Sequence, residues 1–312
     1  MSWPVTTLLG ALALDLALGE PPNVFHPVAW MGRFIGWGWR RSPRRGRVRQ
    51  FAWGAALVLA GTALFSLPWI LLEIPLRWLW RIPLLKPTFS IRALFQAGRE
   101  VQESLQRGDL SEARRLVGWH LFSRDTSQLS SSLVVAATVE SLAENITDGL
   151  TSPLLFFALG GLPGAWAYRF CNTCDSMLGY RDLEREYPGK FTARLDDVVN
   201  WLHARLTGAL IVFAAALSGE DARNAWCTML AEHRCTASPN AGWTMSAWPG
   251  RWGAFGEGGP LSAGGRQRPA GCRYHRALLP GGAMDDGAGG VLCDFADRGA
   301  ASLFRLGMPS RC

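Results

Sequence analysis

The sequence has no Walker loop, no dinucleotide-binding glycine fingerprint, no Ser-x-x-Lys nucleophile and no zinc motif. The familiar signatures of nucleotide and hydrolytic chemistry are therefore missing. Among seven cysteines there is one Cys-x-x-Cys, Cys171 with Cys174, and no second pair at zinc-ribbon spacing. That removes a zinc ribbon and any readable disulfide framework, and leaves free thiols on a helix in a reducing compartment. Neither a basic n-region nor a small-residue cleavage site precedes Glu20-Pro21-Pro22. The run Pro4 to Leu18 therefore reads as an uncleaved first membrane helix or a helix in the interface, and not as a removable leader. Charge is absent from Phe51 to Leu72, about twenty residues and long enough to cross a hydrocarbon core.

The residues that are present describe a membrane protein. Hydrophobic residues make up 48% and mean hydropathy is +0.07, high for a soluble chain and low for a typical multi-span one. The average hides a division, because the apolar runs are confined to the first 217 or so residues. The formal charge of +7 comes largely from arginine, and Arg33, Arg40, Arg41, Arg44, Arg45, Arg47 and Arg49 crowd between two apolar segments. A juxtamembrane basic loop explains them more simply than a nucleic-acid arm, so no nucleic-acid partner is expected. Tryptophans near the ends of apolar runs, such as Trp30, Trp37, Trp53 and Trp78, fit interfacial belts against membrane lipid. The expected fold is all-α: a multi-pass membrane helical protein with interfacial and cytoplasmic helices and a disordered or non-native C-terminal tail.

One stretch, Val134 to Gly149, organises the chain. At helical spacing Val135, Val139, Leu142 and Ile146 form an apolar stripe, and Ala137, Glu140, Glu144 and Asp148 form an acidic one. Carboxylates one turn apart repel unless cations or metal lie beside them. Acidic residues on an amphipathic helix are most often a solvated face. Here the company argues for more: Arg124-Asp125 upstream, then Asn172, Asp175, Arg194, Asp196, Asp197 and Asn200 near the ends of apolar segments. Carboxylates and amides three or four residues apart can hold magnesium, which prefers oxygen ligands and shares them with substrate phosphate. Interleaved arginines neutralise such phosphates.

Elsewhere, three prolines stiffen the turn Gly19 to Val28, where His26 reads as a brace or as an acid, base or phosphate contact. Residues from Ile91 to Val117 read as a helical hairpin broken at Gly108-Asp109. The segment after Ser152-Pro153 is interrupted by Gly160-Gly161-Leu162-Pro163-Gly164, which suggests a broken or re-entrant helix. Asn240 to Trp243 reads as a turn.

Several of these segments together resemble a known family. They are Asp15-x-x-x-Gly19-Glu20-Pro21-Pro22, His26-Pro27-Val28-x-x-Met31-Gly32, Arg124-Asp125-Thr126-Ser127, Glu140-Ser141-x-Ala143-Glu144-Asn145-x-x-Asp148-Gly149, Asn172-Thr173-x-Asp175-Ser176-Met177, Ala193-Arg194-Leu195-Asp196-Asp197-x-x-Asn200-Trp201 and Ser238-Pro239-Asn240-Ala241-Gly242-Trp243. In order and spacing they are similar to the motifs of the CobD/CbiB family across residues 1–246. The resemblance implies a multi-pass enzyme of cobalamin biosynthesis in the inner or plasma membrane. Such an enzyme joins aminopropanol, or its phosphate, to a propionate carboxyl of adenosylcobyric acid, giving adenosylcobinamide or its phosphate. It also implies ATP and Mg2+ as cofactors, and other enzymes of cobalamin biosynthesis as partners.

Roles follow from residue chemistry and not from the resemblance. Glu140, Glu144, Asp148 and Asn145 are the catalytic candidates, Asp175, Asp196 and Asp197 the metal candidates. Arg124, Arg194, Asn172 and Asn200 are the candidates for holding the nucleotide. The alternatives are a magnesium-dependent membrane transferase of the prenyltransferase type and a non-catalytic scaffold or transporter. Topology poses a conflict: an arginine loop held inside puts residues 77–150 outside, away from ATP, unless the first apolar segment does not cross or Phe51 to Trp80 doubles back.

Two departures stand out. His203 occupies a position where the family commonly has proline. After Ala247 the pattern stops, and residues 247–312 form a Gly-rich tail with fifteen of the thirty-five glycines. Trp248 to Gly253 can be encoded so that one added base, read in threes, gives Met-Ala-Gly-Ala-Leu-Gly, which resembles how the family continues. A frameshift near residue 247 is therefore expected, with an out-of-frame, unstructured tail, the family's closing segments deleted, and loss of activity in this product as its consequence.

Overall fold

The computed structural model describes residues 3–72, 78–120, 126–180, 182, 184–236 and 238–248. Arg124 and most of the expected tail lie outside the described residues. Every element among the described residues is helical. In chain order they are α1 (Trp3–Leu18), α2 (Pro27–Arg40), α3 (Arg47–Leu72), α4 (Trp78–Leu85), a 3-10 turn (Lys86–Thr88), α5 (Arg92–Gln106), α6 (Leu110–His120) and α7 (Ser131–Ile146). A π turn (Thr147–Thr151), α8 (Ser152–Leu178), α9 (Lys190–Val199), α10 (Trp201–Leu217), α11 (Ala222–Glu232) and α12 (Ala241–Ala247) follow.

Two stretches are long and apolar enough to cross a membrane: α3, with 26 residues, and Ser131–Leu178. The pair α9 and α10, bent by 49° at Asn200, makes a third if it counts as one span. At 1.5 Å per residue α3 is about 39 Å long, more than a hydrocarbon core of about 30 Å requires. The apolar helix α1 is shorter than that requirement.

The chain divides into two compact units, residues 1–93 with 147–203, and residues 94–146 with those from 204 onward. In the first unit α2, α3 and α8 pack through aromatic rings. Phe65 stacks on Phe170 at 5.3 Å, Phe34 meets both edge-on at 6.1 and 6.0 Å, and Trp69 lies 4.9 Å from Trp166. Gly61 makes room for this cluster, because a Cβ there would overlap the Phe170 ring. The expected break in α8 is present: Gly160 (φ −131°, ψ 15°) and Gly161 (φ 62°, ψ −155°) leave the helical region. The second of these conformations is open only to glycine.

In the second unit, α5 and α6 form the expected hairpin around Gly108 (φ +75°), and the Asp109 carboxylate accepts from the Glu112 amide at 3.0 Å to start α6. Val101, Ala113, Leu116, Val117, Leu129, Val134 and Ala137 form its core. Two readings need correction here. Asn240 to Trp243 is no turn: Asn240 opens α12, and His233 stacks on Trp243 at 4.0 Å. Nor is the acidic stripe of α7 a solvated face throughout, since Val134 to Ala143 are all buried, Glu140 among them, and of its two glutamates Glu144 alone is exposed. Ala247, at the expected start of the tail, is fully buried at the end of α12, and Trp248 packs beside it.

Candidate functional site

The polar residues of the first unit gather where α1 ends, α5 begins, the π turn runs and α9 stops. Asp15, on α1, is fully buried. Its Oδ2 accepts from the amides of Ile91 and Arg92, both at 3.0 Å, which caps the start of α5 from another helix. In return, Arg92 Nη1 donates to the Leu16 and Ala17 carbonyls at 3.2 and 2.8 Å, the last turn of α1. The Lys86 ammonium bridges Asp15 Oδ1 at 2.9 Å and Glu20 Oε2 at 2.7 Å. His26 Nδ1 accepts from the Val28 amide at 3.2 Å to cap α2. Its ring proton is therefore on Nε2, which donates to Glu20 Oε2 at 2.8 Å. Burial pushes the Glu20 carboxyl up, but the hydrogen bonds from His26 and Lys86 outweigh it and bring the pKa down to about 2.

The π turn joins this cluster to a second one. The Ser90 amide donates to the Gly149 carbonyl at 2.9 Å. Arg169 on α8 lies within electrostatic reach of both Glu20 and Asp148, and Tyr168 within that of Asp148 and Asp196. At the break between α9 and α10, Asn200 is buried and its Oδ1 accepts from Ser152 Oγ at 2.8 Å and Tyr168 Oη at 3.0 Å. Its Nδ2 donates to Asp196 Oδ2 at 3.0 Å, and Asn172 also bonds the Asp196 carboxylate. With both ends of its amide taken by the protein, Asn200 orients Asp196.

The structure thus brings together Asp148, Asn172, Asp196 and Asn200, with Asp197 adjacent to Asp196. Asp175 lies one turn beyond Asn172 on α8, its Oδ1 packed against Gly179, where a Cβ would overlap it. Arg194 is exposed on α9. Glu140 (buried), Glu144 (exposed) and Asn145, whose Nδ2 donates to the Ser141 carbonyl at 2.8 Å, belong to the second unit. The polar centre of the first unit is built without them. Asp148 sits in a π turn, so the α-helical spacing that grouped it with Glu140 and Glu144 does not extend to it.

Among the described residues no group of three or more His, Cys, Asp and Glu side chains stands close enough to hold a metal ion. Asp175, Asp196 and Asp197 therefore make no ready-formed cage. Their oxygen donors still suit magnesium, which binds through one or two carboxylates together with substrate phosphate.

Sequence reasoning missed Lys86, Arg169, Ser152 and Tyr168 as parts of this centre. Arg169 had a signal: it is the single charge between Gly149 and Cys174, in an apolar segment. Asp15 and Glu20 were visible as motif residues, but their shared partner is more than sixty positions away.

The family described as CobD/CbiB protein matches residues 8–255. A probable cobalamin biosynthesis protein CobD of Methanothermobacter thermautotrophicus is 43% identical over 249 residues, covering 79% of this chain and 82% of that protein. Cobalamin biosynthesis proteins CobD of Dehalococcoides mccartyi and Klebsiella pneumoniae are 41% and 37% identical, covering 77% and 78% of this chain and 80% and 79% of theirs. No solved structure matches.

Proposed function

This chain belongs to the CobD/CbiB family and has a role in cobalamin biosynthesis, and from that premise we propose that it is an ATP-dependent amide ligase. The acid is a propionate of adenosylcobyric acid, and the amine is aminopropanol or its phosphate. The carboxylate attacks the γ-phosphorus of ATP, giving an acyl phosphate and ADP. The amine then attacks the acyl carbon, phosphate leaves with the bonding pair, and one proton is released. Magnesium, held through Asp175, Asp196 or Asp197, would neutralise the phosphate oxygens.

The observation that carries this reading is the buried bracket Ser152–Tyr168–Asn200–Asp196–Asn172, which draws separate motif segments into one place and fixes a carboxylate there. Preorganised polar groups of this kind are what transfer through an oxyanion requires. The candidate spans support a membrane location, and the inner or plasma membrane is the site this reading assigns to it.

The test is purified full-length protein in detergent, supplied with ATP, magnesium, adenosylcobyric acid and either amine. Adenosylcobinamide or its phosphate should form together with ADP and phosphate, and Asp196→Asn should lower turnover at least a hundredfold. Folded, membrane-inserted protein that makes no amide even with the family's frame restored after residue 247 would overturn the reading and leave a scaffold or transporter. Resequencing the gene around codon 247 decides the origin of the tail. An undisturbed frame, with the same tail in close relatives, removes the frameshift.

A further inference from the structure

Arg169 has carboxylates near it but no direct partner among the described residues. Glu20 and Asp148 are within electrostatic reach, yet the Arg169 Nε is buried and hydrogen-bonds to none of the described residues. Glu20 Oε2 is held by Lys86 at 2.7 Å and His26 at 2.8 Å, and Glu20 Oε1, also buried, hydrogen-bonds to no described residue. Buried polar groups are as a rule paired, and a charge in an apolar segment is expensive to keep without a use. The guanidinium fork matches the paired oxygens of a phosphate or carboxylate, which a lysine does not.

We propose that Arg169 is the anion-binding residue of this centre, receiving a phosphate or carboxylate of a substrate through its guanidinium. The assignment rests on the ligase reading for the identity of that substrate, but not for the binding itself. Three anions are candidates: the nucleotide phosphates, the phosphate on the amine, and the corrinoid carboxylate.

The experiment uses full-length protein in detergent with inorganic phosphate as probe, reading the melting temperature. Wild type and Arg45→Gln, a change in the exposed arginine loop, should be stabilised alike as phosphate is raised, whereas Arg169→Gln should lose the shift. Arg169→Lys, which keeps the charge and the fold, should show a reduced shift. It should also show at least a tenfold higher KM for one substrate, with a smaller change in kcat. The substrate whose KM rises identifies the anion. Comparing aminopropanol with its phosphate separates the amine's phosphate from the other two. Folded Arg169→Gln or Arg169→Lys protein that responds to phosphate as wild type does overturns the proposal. So does a wild type that phosphate does not stabilise. If wild type makes no amide even with the frame restored, but loses its phosphate shift on Arg169→Gln, the binding site stands and the ligase reading falls.

Discussion

The ammonium of Lys86 sits 2.9 Å from Asp15 Oδ1, with side chains 5% and 0% exposed. A buried pair gives little net stability over an apolar replacement, but removing one partner strands the other. Lys86→Met should therefore cost about 3–5 kcal/mol, measured by denaturation in detergent. Arg92→Met, which removes an exposed group, should cost within about 1 kcal/mol. Equal losses in the two variants would mean that burying the pair makes no difference to the cost of breaking it.

Glu20 supplies a pH dependence with a definite sign. Its carboxyl is held at about 2, against an ordinary value of 4.5. The folded state thus binds its proton less readily than the unfolded one, and the stabilisation is complete above 4.5. It is lost as pH falls from there through about 2, and amounts to something on the order of 3 kcal/mol. Glu20→Gln should flatten that limb of the stability curve. An unchanged acid limb in the variant would show that other carboxylates carry it.

Asn200 satisfies two hydroxyls and a carboxylate at once. Asn200→Ala leaves all three short of a partner and should cost about 3 kcal/mol or more while abolishing turnover. Tyr168→Phe removes one donor and leaves Ser152 in place, so about 1 kcal/mol is expected. If Tyr168→Phe proves as damaging as Asn200→Ala, the amide is not the hub.

The arginine loop and the loop before α9 lie at the same end of α3. Arg47 sits over the Tyr187 ring at 5.3 Å, Phe51 meets Phe191 at 6.0 Å, and the Gly54 backbone packs against the Pro188 carbonyl. Reporter fusions at residues 45 and 185 should therefore report the same side of the membrane, the cytoplasm by the positive-inside rule. Reports from opposite sides would contradict the packing.

How much of this was legible depended on the range of the interaction. Spacing along one helix was readable: Asp196 and Asn200, four apart, do bond one another, and the Gly160–Gly161 break appears where glycine and proline crowd. Burial around a helix was not. Periodicity marked Glu140 as facing away from the apolar stripe, but it cannot tell water from a second packed surface, and α7 is buried on both sides of that stripe. Ion pairs between distant segments left no local trace, so nothing in the sequence around Lys86 points to Asp15 and Glu20 as its partners. Asn-Ala-Gly-Trp at 240–243 has turn composition, yet packing of Trp243 against His233 made it a helix.

The bend between α9 and α10 has one further effect. The side chain at the corner is occupied with hydroxyls from another helix, so the path of the backbone and the aim of Asp196 answer to the same amide. A substitution that straightened the corner would swing the acid out of alignment, and one that released the acid would loosen the corner. Shape and chemistry here cannot be tuned independently.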